Sequence, residues 1–228
     1  MGRPTRTMIT RESATQAALH VINTAGLEAF SLELAARQLG VKAPSLYHHF
    51  KDKAELLAEV ARFVLLDLDL PSEGEAASWE EAMVALCVAT RRSLLKHPNA
   101  TPLLLQFFPR HILLPAYDRW IRACPYPPEV HVVLMEGTEK LTYASAMFEA
   151  AARSRGLPTM PAFDPAKLPH LARAMAANPY DAEGVFEQAI RTYLSAFRGT
   201  ERPDAAELPG ASAGRLRVRV KALREPSE

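Results

Sequence analysis

A chain of 228 residues, 48% of them hydrophobic, can bury a substantial core in one large or two smaller domains. No stretch approaches the roughly 20 apolar residues of a bilayer span, and the N-terminus has no apolar signal core, so we expect a cytoplasmic protein. The net charge of +1 is unevenly divided, because residues 1–53 carry seven basic and four acidic side chains. A basic N-terminal unit on a slightly acidic body is typical of a protein that binds a polyanion through one end.

Capping residues and apolar spacing predict two helices at the start of the chain. Thr10 is a suitable N-cap, and apolar residues then recur every three or four positions up to Gly26, which ends the helix. Ser31 caps a second, short helix that ends at Gly40, where the chain must turn sharply.

A third short helix is predicted from about Pro44 to His49. Leu46 and Phe50 are four residues apart and should face inward, which leaves the polar residues between them exposed. A fourth helix begins at Asp52, with Glu55 in a pattern like a capping box. Short helices joined by a tight turn predict a helix-turn-helix, whose third helix enters the DNA major groove.

Residues 9–57 resemble the TetR (tetracycline repressor-like) family of transcriptional regulators. The similarity includes Gly26, the turn at 40–41, the Ser-Leu-Tyr core at 45–47 and the exit at 50–53, in matching order and spacing. The resemblance implies an all-α protein, more often a repressor than an activator. Its parts would be a helix-turn-helix domain at 1–53 with an arm at 1–9, a connecting helix at 54–70, a larger regulatory, ligand-binding and dimerisation domain at 71–200, and a tail at 201–228.

The resemblance also implies which side chains contact the DNA. Tyr47 and Lys53 resemble phosphate contacts, and the arm residues Arg3 and Arg6 are possible additions. Base contacts would come from the exposed side of the third helix. A metal site at the adjacent His48 and His49 is not expected, because no third ligand lies at a suitable spacing. The base-contacting set is Lys42, Ala43, Pro44, Ser45 and His48.

The rest of the chain is predicted to be helical, without a metal or cofactor motif. Cys87 and Cys124 are expected to be buried and unpaired. The i,i+4 pairs of Glu136 with Lys140 and of Glu149 with Arg153 predict a solvated face on the longest helix. The predicted helices run over 78–96, from 101 through 108, over about 113–124, 128–155 and 166–177, and over 181–199, after a linker at 71–78.

The density of large apolar side chains between residues 102 and 121 predicts a pocket for a small, mostly apolar molecule. The candidates for a polar contact are His111, Arg110, Tyr143 and Trp120. His111 is favoured, because it lies within an apolar run and needs a partner if buried. The alternative for each residue is plain core packing. The candidate ligand-binding residues are Leu104, Phe107, Phe108, His111, Leu114, Tyr117, Trp120, Met135, Tyr143 and Met147.

The apolar stripe from Phe186 to Phe197 and small residues such as Gly137 predict a homodimer in which the helices at 128–155 and 181–199 form a four-helix bundle with their copies. The tail at 201–228 has the composition of a disordered segment, although "RLRVRVKAL" alternates like a strand. The expected partners are a palindromic DNA operator and a small apolar effector. Two alternatives remain at this point: a DNA-binding protein without a ligand, and an all-helical enzyme, for which we find no catalytic motif.

Overall fold

The computed structural model describes residues 9–67 and 76–200. The arm with Arg3 and Arg6, most of the linker at 71–78 and the tail at 201–228 therefore lie outside the described residues. The described part contains α-helices and two short 3-10 helices, as the sequence predicts. In chain order they are α1 (Arg11–Ala25), α2 (Leu32–Gln38), a 3-10 helix (Ala43–His48), α3 (Lys53–Leu66), α4 (Trp79–Lys96), a 3-10 helix (Thr101–Leu105), α5 (Arg110–Arg122), α6 (Pro128–Arg153), α7 (Pro169–Ala177) and α8 (Ala182–Ser195).

Side-chain caps fix where these helices begin. The side chains of Thr10, Ser31, Ser78 and Asp181 each accept a hydrogen bond from a backbone N–H in the first turn, which satisfies one otherwise unpaired donor. Asp52 caps α3 in the same way. These five predicted starts are confirmed, whereas α7 begins at residue 169, three positions later than predicted.

The helices bury two groups of apolar side chains. The first group contains the inner faces of α1, α2 and α3. It also contains Leu46 of the 3-10 helix at 43–48, which is the recognition element, and Leu103 and Leu104 of the second 3-10 helix. The second group surrounds Trp79 and Trp120, whose rings meet edge to face with centroids 6.0 Å apart. Helix α3 spans the first group, and its last residues lie near the second group. It therefore links the N-terminal helices to the helices around Trp79.

A buried ion pair corrects the expectation for α6. Glu149 does pair with Arg153, but it is buried and also bonds Arg91, whose side chain is only 3% exposed. The Arg91 Nε donates to the Ser145 hydroxyl at 3.0 Å, and its guanidinium lies 4.0 Å from Glu183. The face around Glu149 is therefore an interface of α4, α6 and α8 rather than a solvated surface.

Two expectations about the dimer-forming residues are also wrong. Phe186, Ile190 and Leu194 of the predicted stripe are buried within their own subunit, while Ala189 is exposed. A Cβ built at Gly137 would lie 2.0 Å from the Tyr193 hydroxyl oxygen, so this glycine admits α8 of the same chain.

No described helix is both long and apolar enough to cross a bilayer. Within the same residues, no group of three or more His, Cys, Asp or Glu side chains is arranged to hold a metal ion. Cys87 and Cys124 are both buried, as predicted, and neither forms a disulfide bond.

Candidate nucleic-acid interface and internal cavity

A tight turn presents the recognition element at the surface. Gly40 has a φ of 71°, a conformation that residues with a Cβ rarely adopt. The Val41 N–H donates to the Ala36 carbonyl at 3.0 Å and closes the turn at the end of α2. The chain then forms the 3-10 helix at 43–48, with Pro44 in its first turn. The element predicted as a third helix is thus present in the narrower 3-10 form.

The recognition element has one buried and one exposed side, as the sequence predicts. Leu46 and Phe50 are almost completely buried in the first apolar group. Tyr47 is 56% exposed and its hydroxyl is free to contact another molecule. Of the other predicted base-contacting residues, Lys42, Pro44 and His48 are exposed, whereas Ala43 and Ser45 are half-buried.

Lys53 has a structural contact that sequence reasoning missed. Its ammonium group donates to the Phe30 carbonyl at 2.7 Å and lies 5.2 Å from the centroid of the Phe30 ring. This contact ties the loop between α1 and α2 to the start of α3. Because an ammonium group has three donors, two remain for the predicted phosphate contact.

Arg11 and Glu55 clamp the chain that leaves the recognition element. The Arg11 guanidinium donates to the His49 carbonyl, lies 4.3 Å from the Phe50 ring centroid and pairs with Glu55 at 2.9 Å. The other oxygen of Glu55 accepts from the Lys51 N–H at 2.6 Å, not from Asp52 as in a standard capping box. The hydrogen bond from the Lys51 backbone and the bond from Arg11 lower the pKa of Glu55, so it stays ionised.

A cavity of about 140 Å³ lies between the end of α3 and helices α4, α5 and α6. Leu65 and Leu66 of α3 form one part of its wall, and Trp79 and Met83 of α4 form another. Most of the remaining wall consists of the inner faces of α5 and α6. An engineered apolar cavity of about 150 Å³ binds benzene, so this space is large enough for a one-ring molecule.

Only four of the ten candidate ligand-binding residues line this cavity: Tyr117, Trp120, Met135 and Tyr143. Helix α5 directs residues 113, 116, 117, 120 and 121 inward, and its period turns His111 and Leu114 to the solvent. The expectation for His111 is therefore wrong. The remaining candidates pack in the first apolar group: Leu104, Phe107, Phe108 and Met147.

Most polar groups of the cavity come from α5 and α6. The Tyr117 hydroxyl donates to Glu139 at 2.7 Å, and Arg110 donates to the other oxygen of Glu139 at 2.7 Å. His131 is buried and its Nε2 lies 2.9 Å from the Tyr126 carbonyl oxygen. The cavity-lining residues of α6 recur every three or four positions, which is the sequence signal that predicts a common face for them. They are residues 131, 135, 138, 139, 142 and 143.

A second contact joins α1 to the C-terminal end of α4. The Asn23 side-chain nitrogen lies 2.9 Å from His97 Nδ1, and Asn99 donates to the Asn23 carbonyl at 3.0 Å. Burial lowers the pKa of His97, which favours the neutral ring that can accept this hydrogen bond. The segment that carries the recognition element is thus fixed to the cavity-forming helices at two places, through α3 and through Asn23.

Comparisons with known proteins agree with this geometry. Residues 14–60 match the family described as bacterial regulatory proteins, tetR family. The tetracycline repressor protein class D of Escherichia coli is 27% identical over 199 residues, which cover 83% of this chain and 89% of that protein. A possible TetR family transcriptional regulator from Streptomyces coelicolor A3(2) has the same fold, with a TM-score of 0.66, 22% identity and coverage of 83% and 98%. ActR of Streptomyces coelicolor in complex with actinorhodin has a TM-score of 0.64, 20% identity and coverage of 84% and 97%.

The contacts of Arg11 and Glu55 with residues 49–51, which form the clamp, generate a prediction about DNA affinity. Arg11→Ala should weaken DNA binding about threefold to tenfold, or ~0.7–1.4 kcal/mol, because the recognition element loses its support. The slope of affinity against salt should stay unchanged, because the charge of Arg11 is used within the protein. Fluorescence anisotropy with labelled duplex DNA over a range of salt concentrations measures both.

Glu55→Ala provides the matched control. Removing this negative charge should strengthen DNA binding if only overall electrostatics mattered, whereas loss of the clamp should weaken it. A salt slope lowered by about one in Arg11→Ala, together with tighter binding by Glu55→Ala, would show that Arg11 contacts a phosphate instead.

Proposed function

Because this chain belongs to the TetR family of DNA-binding transcriptional regulators, we propose that it is a repressor released from a palindromic operator by a small, mostly apolar effector. Proteins of this family are regulators rather than enzymes. The observation that carries the proposal is the position of α3. Its first turn lies beside the recognition element, and its last residues, Leu65 and Leu66, form part of the cavity wall.

Helix α3 provides a direct route from the cavity to the DNA-binding surface. Its 14 residues span about 21 Å, and Val60, Ala61 and Val64 are buried along the way. A molecule that fills the cavity contacts the end of α3 and favours helix positions that accommodate it. The recognition element moves with α3, because the clamp and the Lys53 contact hold the two together.

The effector acts only through its preference for one conformation. A coupling of ~1–3 kcal/mol between effector and DNA is typical, which changes DNA affinity about 5- to 150-fold. The relatives support a ligand-dependent mechanism. One is named as a tetracycline repressor, and the structure of another contains actinorhodin. The open space between α4, α5 and α6 favours this proposal over a DNA-binding protein without a ligand.

We further propose that the repressor is a homodimer formed by α6 and α8. The outer face of α6 carries a stripe of apolar residues, in which Phe148 is 77% and Val133 is 54% exposed. Val185 of α8 is also exposed. Phe148 has no role in the fold of one subunit that explains an exposed aromatic ring, and a second copy of the same surface would cover it.

The proposal predicts distinct roles for the DNA-facing residues on an operator obtained by binding-site selection. Lys53→Ala should weaken binding to all sequences alike and lower the salt slope by about one, because one phosphate contact is lost. Tyr47→Phe should weaken binding without changing the melting temperature, because the Tyr47 side chain is exposed. Lys42→Ala and His48→Ala should change base preference by ~1–3 kcal/mol per contact, measured by competition with single-base variants. Unchanged affinity in both Lys53→Ala and Tyr47→Phe would refute this docking.

Effector action predicts that a suitable small lipophilic compound releases the protein from its operator. Titration of such compounds into the complex, followed by anisotropy, should show release by compounds that also raise the melting temperature. If compounds raise the melting temperature but none affects DNA binding, the protein is a DNA-binding protein without effector control.

The dimer predicts that Phe148→Glu yields a monomer in light scattering at micromolar concentration, with weak binding to a two-half-site operator. Leu114→Glu is the matched control, since Leu114 is 57% exposed on the outer side of α5 and should leave the dimer intact. The operator half-sites should lie about one helical turn, or a multiple of it, apart. A monomeric wild-type protein would contradict the proposal.

A further inference from the structure

The cavity contains one hydroxyl group without a partner. Tyr143 packs its ring edge to face against Phe108, with centroids 4.9 Å apart, and its side chain lines the cavity. Among the described residues, none forms a hydrogen bond with the Tyr143 hydroxyl. Burial, together with the nearby Glu139, raises the pKa of Tyr143, so the hydroxyl keeps its proton and can donate it.

The other side-chain oxygen atoms of the wall residues can only accept a hydrogen bond from a guest. The hydroxyls of Thr90, Thr138 and Thr142 donate to carbonyls of their own helices, which leaves only their oxygen lone pairs for a guest. The Tyr126 carbonyl can only accept, so His131 Nε2 carries the proton of this contact.

Glu139 places a negative charge at the cavity wall. Each carboxylate oxygen accepts one hydrogen bond, from Tyr117 and from Arg110, and each keeps further accepting capacity. Arg110 does not line the cavity and is shared with Glu136 at 2.7 Å. In the part of the chain that the structure describes, no Lys or Arg belongs to the cavity wall. An anionic ligand would therefore lose its hydration beside a carboxylate without gaining a lysine or arginine partner.

From this arrangement we infer that the effector has an apolar body of about one ring and a single donor head group, a hydroxyl or an amine, and that it is not a carboxylic acid. The head group donates to the acceptors around Glu139. A hydroxyl head group also accepts from the Tyr143 hydroxyl, whereas an ammonium group donates to the Tyr143 oxygen. The apolar part of the effector contacts the mostly apolar wall of the cavity. This inference rests on the proposed function, because it assigns the chemistry of the effector that acts at the same cavity.

The test uses four probes that share a phenyl ring and a short chain: ethylbenzene, 2-phenylethanol, 2-phenylethylamine and phenylacetate. Each is titrated against the full-length protein for its effect on melting temperature, and against the protein–operator complex for DNA release. We expect 2-phenylethanol or 2-phenylethylamine to act at about fivefold to tenfold lower concentration than ethylbenzene, as one hydrogen bond provides. Phenylacetate should act more weakly than ethylbenzene.

Tyr143→Phe separates the head-group contact from the apolar contact. It should remove most of the advantage of 2-phenylethanol and leave ethylbenzene unchanged, because the ring remains and the lost hydroxyl has no partner in the fold. Tyr180→Phe is the matched control, since Tyr180 is exposed and lies outside the cavity wall. It should leave all four probes unchanged.

The outcomes distinguish the inference from the function on which it rests. Equal or stronger action by phenylacetate, or no advantage of either donor probe over ethylbenzene, overturns the donor assignment while the effector function stands. If none of the four probes changes the melting temperature or DNA binding, the inference and the proposed effector cavity both fail. Whichever of 2-phenylethanol and 2-phenylethylamine acts at the lower concentration shows whether the head group is neutral or cationic.

Discussion

The burial of α3 is the constraint on which the rest of this structure depends. One close-packed group of apolar side chains holds Leu46 of the recognition element, Val60 and Val64 of α3, and Leu103 beyond α4. Close-packed interiors do not absorb a displacement locally, because a void or a clash costs free energy. A shift at one end of α3 must therefore appear at the other end. The proposed regulation at a distance therefore requires only this packing and no flexible joint between the two ends.

The buried ion pair determines which helices can take part in such a shift. Arg91 links α4 to Glu149 and Ser145 of α6 and faces Glu183 of α8. Separating a buried arginine from its carboxylate leaves an uncompensated charge, which costs about 3–5 kcal/mol. This is more than the usual coupling between an effector and DNA. We therefore expect the proposed conformational change to keep α4, α6 and α8 together and to displace α3 relative to them.

The sequence predicted the helices well because caps and apolar spacing act over only a few residues. Ser78 and Asp181 were correct as starts, and the inward positions of Leu46 and Phe50 followed from their spacing. The roles of the DNA-facing residues came from the family resemblance. The cavity was located only in part, because contacts distant in sequence decide it. His111 and His131 look alike in the chain, and the partner of Glu149 at position 91 lies 58 residues away.

The 3-10 form of the recognition element limits how much DNA sequence one chain can contact directly. A 3-10 helix rises about 2.0 Å per residue, so residues 43–48 extend over about 12 Å. Base pairs are spaced about 3.4 Å apart, so this length corresponds to three or four steps along the groove. Side chains three apart are eclipsed in a 3-10 helix, which places Pro44 and Tyr47 in a single row. Because the recognition element is this short, the remaining positions of the proposed operator would be distinguished by the stiffness and groove width of the DNA.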